Sequence, residues 1–561
     1  MGLIGPVAVL LSLALFAQSI FSLYLMLYTW EHPERLEASK GPTSFLPPRL
    51  SFTVLLPVRN EQAVIFETIK RVLHANYPAT LLEVLVVCQE GDATIPEVRR
   101  AMRELGAANL RLETYAAAPI NKPHGLNTGL QRSGNQVVTV FDAEGDIHAD
   151  IFNVINMVML EEETGIVQAG VQLMNFRDHW FGLHNCLEYF FWFKSRLHFH
   201  ARVGMIPLGG NTVFIRRELL VGAGGWDEQC LTEDADIGVR LSLLGEPIRV
   251  VYDPEYVTRE ETPHSIGAFI RQRTRWQQGF LQILGKGAWR SLPRRGQRLL
   301  ALYSFGYPLL QALLMLVWPL VIVTLLWLKL SVPVVMVSFL PLYALGFQYL
   351  VSVVGAWRFT REYALRFPLL APVTLAITLL PFQWLLGVSA IRAVYRELRK
   401  QYNWEKTLHT GAHRRPIAAI AAFDRLLEEA AAHLGAERGS VLLLDPAAKR
   451  FSLVASRGPS HEVIAALDLD AGEGVAGWVA RTERTAILDG RVVPADLHAR
   501  MEQPPLRSSV VTPIEGQDGL LAVVSIASTR ADLGDAAARW LDGRIQHHFP
   551  QQRGAPALAH A

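Results

Sequence analysis

Residues 231–245, LTEDADIGVRLSLLG, predict a helix whose first turn carries two carboxylates. Thr232 has the side chain of a helix N-cap, and Glu233 and Asp234 follow it in the first turn. Apolar residues then recur at helical spacing until a glycine ends the run, namely Ile237, Leu241, Leu244 and Gly245. Acids in a first turn commonly do no more than complement the helix dipole, for about 0.3 to 1 kcal/mol. The motifs around this helix favour a chemical role instead.

Three of these motifs accompany the helix in a fixed order. DAE occupies 142–144, IPLGGNTVFIRRELL occupies 206–220 and is followed by GGWDEQC, and RQRTRWQQG occupies 271–279. The set resembles the membrane-embedded family 2 glycosyltransferases, the group that contains cellulose and hyaluronan synthases, over about residues 51–407. TED and the QxxRW pattern within 271–279 are its most specific parts. The resemblance implies a nucleotide-sugar donor, a divalent cation, and an α/β catalytic domain of GT-A type (Rossmann-like) inserted between transmembrane helices.

Composition is typical of a membrane protein with two or three domains. Half of the 561 residues are hydrophobic, and the formal net charge is only +2, which gives no global basic field for nucleic acid. Three cysteines, Cys88, Cys186 and Cys230, have no metal-ligand spacing. We expect them to be reduced, buried thiols of a cytosolic domain.

Residues 3–30 are almost uncharged and long enough to cross a bilayer, which takes about 20 apolar residues. A cleaved signal peptide is the alternative interpretation, but the segment lacks a basic n-region and runs long, which favours a retained anchor. Three further apolar segments follow the catalytic domain, at 303–328, 332–357 and 369–392. The expected location is the cell (inner or plasma) membrane, with several spans and a cytosolic catalytic domain.

These spans raise a conflict of topology. Basic residues place 392–415 in the cytosol, yet one span before the catalytic domain and three after it would put the two soluble regions on opposite sides. Two apolar segments, 299–330 and 369–392, are broken by prolines. We therefore expect one of them to be interfacial or re-entrant.

From residue 51 onwards, strand-like runs alternate with helical patterns of about ten residues. The runs are SFTVLL, EVLVVC, LRLET and VVTVF. This alternation predicts a mostly parallel sheet with helices on both faces. Such sheets bind ligands beyond the carboxyl ends of their strands, which is where the notable polar residues of this chain fall.

The loops after the first two strands are candidates for the nucleotide site. The first, PVRNE, contains Pro57 and Glu61, and the second, CQEGD, ends at Asp92. The resemblance places Glu61 and Asp92 beside the base and ribose. Because the family has adjacent acids after the second strand and this chain does not, Glu90 is an alternative to Asp92, and a solvated turn is the other interpretation.

Two more segments are assigned to the donor and its cation. KPHGLNTGL resembles a family segment that lies against the nucleotide, so Lys122 would meet a phosphate unless it is simply solvated. In VFDAEGDIHAD, Asp142 and Glu144 occupy the acidic places of the family's Asp-x-Asp motif, and Asp146 offers a third oxygen. Such carboxylates can share Mg²⁺ or Mn²⁺ that bridges the diphosphate, although an acidic turn without metal is also possible.

The TED acids supply a base for sugar transfer. A hydroxyl acceptor is a poor nucleophile, so a carboxylate must take its proton as it attacks the anomeric carbon, and Asp234 is our candidate. Thr232 and Glu233 complete the motif. A single displacement inverts the anomeric configuration, so an α-linked donor would give a β-linkage. The resemblance places the loop of Gly209, Gly210 and Asn211 at the acceptor.

The QxxRW segment supplies hydrogen-bond donors for the phosphates and an aromatic ring for a sugar. Arg275 can hold phosphate oxygens in bidentate fashion, and Trp276 offers a face to a sugar ring of the donor or acceptor. Gln272 and Arg273 lie on the same helix, and we assign them to the donor site as well. A basic interfacial helix that binds lipid headgroups is the alternative. An aromatic-rich helix at 180–200 would pack the domain on the membrane or line an acceptor path, and its histidines match no metal-ligand set.

The last part of the chain resembles a GAF domain over 417–548, with GEGVAGWVA as its most telling piece. The resemblance implies an α+β module that binds a small ligand or a dimer partner. The expected order of parts is a membrane helix (1–30), a linker (31–50), the GT-A domain (51–290), membrane or interfacial helices (291–395), a basic linker (396–416), the GAF-like domain (417–548) and a disordered tail (549–561).

The function expected from these features is inverting transfer of a sugar, from a UDP-linked donor, to a growing β-linked polysaccharide at the membrane. Two alternatives remain open. One is a single addition to a lipid-linked acceptor, and the other is a catalytically silent sugar-binding scaffold. The retained TED, QxxRW and acidic pair argue against the scaffold.

Overall fold

A computed structural model describes residues 4–42, 44–327, 331–363, 365–403, 405, 417–445, 450–457, 474–489, 507–516 and 519–548. The chain forms two compact units, one of residues 1–363 and 367–413, the other of 364–366 and 414–561. The predicted disordered tail, 549–561, lies outside the described residues. All three cysteines are free and buried, as the sequence predicts.

The first unit is built on a seven-stranded mixed sheet with the order β3-β2-β1-β4-β7-β5-β8. β7 is antiparallel to both of its neighbours, and the other pairs are parallel. β6 and β9 form a separate parallel pair. The strands are β1 (Phe52–Val58), β2 (Leu82–Gln89), β3 (Leu110–Tyr115), β4 (Val137–Val140), β5 (Ile166–Ala169), β6 (Val171–Leu173), β7 (Val213–Arg216), β8 (Ile248–Val251) and β9 (Thr258–Glu260). The predicted α/β fold class is confirmed.

The described helices of this unit run in chain order as α1 (Ile4–Glu31), α2 (Pro33–Glu37), α3 (Ile65–Leu73), α4 (Ile95–Leu105), α5 (Lys122–Arg132), α6 (Ile151–Glu161), α7 (Gly182–Phe191), α8 (Leu197–Val203), α9 (Arg217–Gly222), α10 (Glu233–Leu243), α11 (Ile266–Lys286), α12 (Arg295–Trp327), α13 (Val332–Ser338), α14 (Leu340–Glu362) and α15 (Ala371–Leu398). A π-helical turn, Trp192–Arg196, joins α7 to α8. The sheet core is aromatic, since Phe52, Phe141, Phe152 and Phe214 are fully buried and pack edge to face.

Four helical stretches are long and apolar enough to cross a membrane, at 5–31, 295–316, 332–362 and 371–398. α1 is the N-terminal one, and its last turn is fixed to the π-helical turn, where the Thr29 hydroxyl donates to the Lys194 carbonyl at 3.0 Å. The first stretch after the catalytic region begins at 295, earlier than the sequence predicts, because the basic residues before 303 continue the helix.

The ends of α14 and α15 both contact the catalytic part of the unit. At the end of α14, Glu362 pairs with the buried Lys194, and the hydroxyls of Tyr252 and Tyr363 lie 3.0 Å apart. Near the end of α15, the Arg396 Nε donates to the Gln278 side chain on α11 at 3.0 Å. The end of α14 and the end of α15 therefore both lie against the catalytic part of the unit.

The second unit is an α+β module, as the sequence predicts. Five antiparallel strands follow the order β11-β10-β14-β13-β12. They are β10 (Arg438–Asp445), β11 (Arg450–Arg457), β12 (Ala486–Asp489), β13 (Ser508–Gly516) and β14 (Gly519–Ser528), and the helices are α16 (Ile417–Leu434), α17 (Gly474–Thr482) and α18 (Asp535–His548). Phe423 of α16 and Leu541 of α18 belong to one core with Val510 and Ile526 of the sheet.

Candidate active site

The TED acids begin α10, as predicted, but the cap differs from the prediction. Thr232 occupies the N-cap position, yet its hydroxyl makes no capping bond and finds no partner among the described residues. It packs instead against Gly279 of α11, where a Cβ would lie 2.7 Å from the Thr232 backbone nitrogen. Only glycine fits there, so the TED turn and the QxxRW helix are in direct backbone contact.

The two TED carboxylates lie in a buried, charged environment. Glu233 is 3% exposed, while Asp234 is half-buried and accepts the Ala235 N–H at 2.8 Å. Burial raises the pKa of Glu233, and the adjacent Asp234 raises it further. Burial also raises the pKa of Asp234, while Lys122 and Arg275 oppose this shift. A carboxylate with a raised pKa is a stronger base once it is ionised.

Lys122 opens α5 instead of lying in a loop, because Asn121 caps that helix by accepting the His124 N–H at 3.0 Å. Its Nζ lies 2.5 Å from an Asp142 carboxylate oxygen and donates to the Gly210 carbonyl at 3.1 Å. Burial alone would lower the pKa of Lys122, but Asp142 and the TED acids raise it. Lys122 is therefore a permanent cation at the centre of the acids.

Three carboxylates converge beside Lys122. Ligand atoms of Asp142, Glu144 and Glu260 all lie within 4.8 Å of one another. Asp142 and Glu144 follow β4 as predicted, whereas Glu260 ends β9 and was not expected. Oxygen ligands of this kind suit Mg²⁺ or Mn²⁺, and Lys122 offsets only part of the charge of three carboxylates, so the group has the chemistry of a hard-cation site.

Asp146, the third oxygen donor that we predict, is not one of the three clustered carboxylates. Its carboxylate pairs with the buried guanidinium of Arg71, and its backbone bridges to Arg259. Asp146 therefore links the turn after β4 to α3 and to β9. No sequence pattern links residues 142–146 to Glu260, which is the last residue of β9.

The QxxRW helix is α11, which begins behind a Ser265 cap that accepts the Ala268 N–H at 3.2 Å. Gln272, Arg275 and Trp276 line the same cavity as the TED acids. The Trp276 ring lies 6.3 Å from that of Tyr189 on α7. No local sequence pattern distinguishes Tyr189 from the other aromatic residues of its helix.

Arg273 lines this cavity as well, but its guanidinium is also bonded within the protein. Its guanidinium donates to Glu188 on α7 at 2.5 Å and to Asn185, and it lies 4.7 Å from the Trp276 ring centre. These contacts tie α11 to α7 and hold the indole of Trp276 in place. They engage the arginine within the protein, so a direct contact with the donor is not supported.

The predicted nucleotide loops lie next to each other. Pro57 and Glu61 line the cavity. Asp92 is half-buried and accepts the Asn60 N–H at 2.9 Å and the Thr94 N–H at 2.8 Å, so it joins the loops after β1 and β2. Glu90 is exposed. Of the two alternatives, Asp92 is the one in contact with the first loop, although neither lines the cavity itself.

The predicted acceptor loop lies directly over the TED turn. A Cβ at Gly210 would come 2.9 Å from an Asp234 carboxylate oxygen. Gly209 donates its N–H to Gln168 at 2.8 Å, and the Asn211 amide donates to Glu260. Because residue 210 is glycine, the loop can approach Asp234 and Lys122 closely. Asn211 links the same loop to Glu260.

One cavity of about 1200 Å³ contains these groups and extends between the membrane helices. Uncharged residues of α1, α12, α14 and α15 line this extension, and among the described residues no Asp, Glu, Lys or Arg of those helices does. Each of the four helices contributes one glutamine, namely Gln18, Gln311, Gln348 and Gln383. One space thus connects the acids and the QxxRW residues to the region between the four apolar helices.

Comparison with known proteins agrees with this architecture. The model of the family described as glycosyltransferase like family 2 matches residues 47–279, and that of the GAF domain matches 420–543. Among curated relatives, a beta-monoglucosyldiacylglycerol synthase of Synechocystis sp. is 26% identical over 406 residues, covering 71% of this chain and 82% of that protein. A poly-beta-1,6-N-acetyl-D-glucosamine synthase of Staphylococcus epidermidis is 24% identical, covering 42% of this chain and 56% of that protein.

Among solved structures, a mannosyltransferase from Pyrobaculum calidifontis in complex with GDP-Man and Mn²⁺ aligns with a TM-score of 0.44 and 19% identity, covering 71% of this chain and 99% of that one. Several other relatives are matched over about half of their own length. The present chain is a glycosyltransferase in which a family 2 catalytic domain is followed by a GAF domain, with four helices long and apolar enough to cross a membrane.

Proposed function

We propose that this enzyme transfers a sugar, with inversion, from a UDP-linked donor to a hydroxyl presented from within the membrane. The observation that carries the proposal is the continuous cavity. It joins the TED acids and Trp276 to the space between the membrane helices. An acceptor anchored in the bilayer would therefore reach the reacting centre without leaving the lipid.

In this proposal Asp234 takes the acceptor proton as the hydroxyl attacks the anomeric carbon. Its carboxylate lies under the loop of Gly210, at the wall of the cavity, whereas Glu233 is almost completely buried. The raised pKa of Asp234 supports this role, because a base is most effective when its pKa approaches the working pH.

The departing diphosphate requires positive charge. Arg275 lies in the electrostatic field of Glu233, Asp142 and Asp234, and can bind phosphate oxygens in bidentate fashion. Asp142, Glu144 and Glu260 would hold Mg²⁺ or Mn²⁺, which when bound would neutralise charge on the diphosphate. Lys122 now pairs with Asp142, so a cation at Asp142 would free its ammonium group for a phosphate.

A lipid acceptor is the product class that we favour. The membrane part of the cavity is uncharged and mostly apolar, as acyl chains require. The relative named beta-monoglucosyldiacylglycerol synthase supports this choice, since the alignment covers 82% of that protein. The expected product is a glycolipid that carries one β-linked sugar.

A growing polysaccharide is the second candidate, and one observation favours it. Amides are costly in hydrocarbon unless they are hydrogen-bonded, yet each of the four apolar helices directs a glutamine to the cavity. Of these, Gln311 already accepts a hydrogen bond from Gln277 at 2.7 Å. Sugar hydroxyls would satisfy such amides. The relative named poly-beta-1,6-N-acetyl-D-glucosamine synthase supports the same reading.

The test is donor turnover by the purified full-length protein in nanodiscs. UDP- and GDP-sugars would be supplied with Mg²⁺ or Mn²⁺, with and without dioctanoylglycerol, and products analysed by mass spectrometry. We expect a dioctanoylglycerol product that carries one hexose. A ladder of repeating sugars would favour the polysaccharide instead. No turnover with any donor and acceptor would contradict both and favour the scaffold.

We infer that α15 does not cross the membrane and that the chain after it remains on the catalytic side. Phe382 packs against Phe269, with ring centres 5.6 Å apart, and the Thr274 hydroxyl is 3.4 Å from the Ser389 carbonyl. α15 therefore runs alongside α11, the catalytic helix, over its second half. This interpretation resolves the topology conflict in favour of a re-entrant or interfacial segment.

Cysteine labelling in sealed vesicles tests this topology. All native cysteines are buried, so added thiols would react alone. We expect Tyr402→Cys, after α15, to react from the same side as Glu104→Cys on the catalytic domain, and Ser331→Cys, between α12 and α13, to react from the other side. If Tyr402→Cys reacts together with Ser331→Cys, α15 crosses the membrane.

A further inference from the structure

The segment after α15, whose described residues are 401–403 and 405, is bound by two arginines, of which Arg396 is buried. Arg396 is 7% exposed, and its guanidinium donates to the carbonyls of Gln401 and Asn403 at 3.1 and 3.0 Å. It also pairs with Glu405 at 3.3 Å. Arg392 makes two further hydrogen bonds to Glu405, at 2.8 and 2.6 Å. The segment is therefore fixed by charge-assisted bonds, which are stronger than neutral ones.

The same arginine reaches the catalytic helix. Its Nε donates to the Gln278 side-chain carbonyl at 3.0 Å, and the Gln278 amide donates to the Gln401 carbonyl at 2.9 Å. Gln278 is completely buried. Loss of either partner would leave buried polar groups unpaired, which costs more than the bond itself contributes. Arg396, Gln278 and the exit segment thus form one closed network.

Gln278 lies on the turn of α11 that contacts the active site. Arg275 and Trp276 precede it by three and two residues and line the cavity with the TED acids. Gly279, the next residue, packs on Thr232. A shift of this turn would move the guanidinium and the indole relative to Asp234, and displacements of about 1 Å can lower rates about 100-fold.

We propose that the segment of Gln401, Asn403 and Glu405, acting through Arg396 and Gln278, positions α11 for catalysis. Arg396 and Gln278 are positioning residues, because they hold the helix that carries Arg275 and do not themselves take part in the reaction. The inference rests on the proposed function. Because the chain continues from this segment towards the GAF domain, any change that breaks its bonds to Arg396 would alter the position of α11.

The test compares Arg396→Gln, Gln278→Ala and the double variant in the full-length protein. We expect each single variant to lower kcat about 10- to 100-fold, with the donor KM within about 2-fold, because the network orients transition-state groups. The double variant should be no slower than the slower single variant, since both break one network. Arg399→Gln is the matched control, because Arg399 is an exposed arginine that directly follows α15, three residues after Arg396. It should behave as wild type.

Two further measurements distinguish a loss of positioning from misfolding of the variants and from failure of the proposed reaction. Glu405→Gln weakens the network without removing the buried arginine, and we expect it to lower kcat about 3-fold at an unchanged thermal midpoint. Hydrogen exchange of α11 should be faster in Arg396→Gln but unchanged in Arg399→Gln, whether or not any donor is turned over. The inference is overturned if the losses in kcat of the two single variants multiply in the double variant, or if the single variants have normal kcat. Unchanged hydrogen exchange of α11 in Arg396→Gln would also overturn it.

Discussion

Asp234→Asn is expected to lower sugar transfer about 1000-fold while leaving donor affinity within a few-fold of wild type. The amide has nearly the same shape and keeps an acceptor oxygen for the Ala235 N–H, but it cannot take a proton from the acceptor. General-base catalysis typically contributes about 100- to 10,000-fold. The measurement is kcat with a saturating acceptor, together with donor binding by titration.

Glu233→Gln is the matched comparison, because it neutralises the neighbouring carboxylate of the same turn. Glu233 is more deeply buried than Asp234, so we expect a smaller loss, of about 10-fold, through the altered field. A larger loss of activity in Glu233→Gln than in Asp234→Asn would indicate that Glu233 is the base. If Asp234→Asn keeps normal transfer activity, Asp234 is not the base.

The pH profile supplies a second readout for the same residue. Burial raises the pKa of Asp234, and the base works only when it is ionised. As the pH falls through this raised pKa, kcat/KM of the wild type should therefore decline at a pH above the ordinary aspartate value of about 3.9. The residual activity of Asp234→Asn should lack this decline, because no base at residue 234 remains to be protonated.

The sequence predicted those parts of the site that are contiguous in the chain. The TED acids, Arg275 with Trp276, and Asp142 with Glu144 all line one cavity, and each pair is recognisable from a short local motif. The mostly parallel sheet of the first half was predicted for the same reason, since hydrophobic alternation is a local signal.

The parts that escaped prediction depend on contacts between distant segments. Glu260 joins the acidic group because β9 pairs with β6 next to the turn after β4, and no local pattern encodes that pairing. Asp146 and Arg273 were assigned to the ligand because their types suit it, whereas Arg71 and Glu188 engage them within the protein. A charged side chain in a motif can bind a neighbouring helix as well as a ligand.

Removal of divalent cations is expected to abolish transfer, with a loss of about 100-fold or more that added Mn²⁺ or Mg²⁺ restores. Three carboxylates within 4.8 Å repel one another, and Lys122 alone cannot balance them together with a diphosphate. Glu260→Gln should raise the cation concentration needed for half-maximal activity about 10-fold, because one charged ligand is lost. The measurement is a cation titration at a fixed, saturating donor concentration.

Asp146→Asn tests whether the cation binds to Asp142, Glu144 and Glu260, as the structure suggests, or to Asp142, Glu144 and Asp146, as the sequence predicts. This substitution breaks the buried pair with Arg71, so we expect a lower thermal midpoint, as is usual when one partner of a buried ion pair is lost. The half-maximal cation concentration should nevertheless stay at the wild-type value, since the Asp146 carboxylate points to α3. If Asp146→Asn weakens cation activation and Glu260→Gln does not, the cation binds after β4 alone, and Glu260 serves only to hold Asn211.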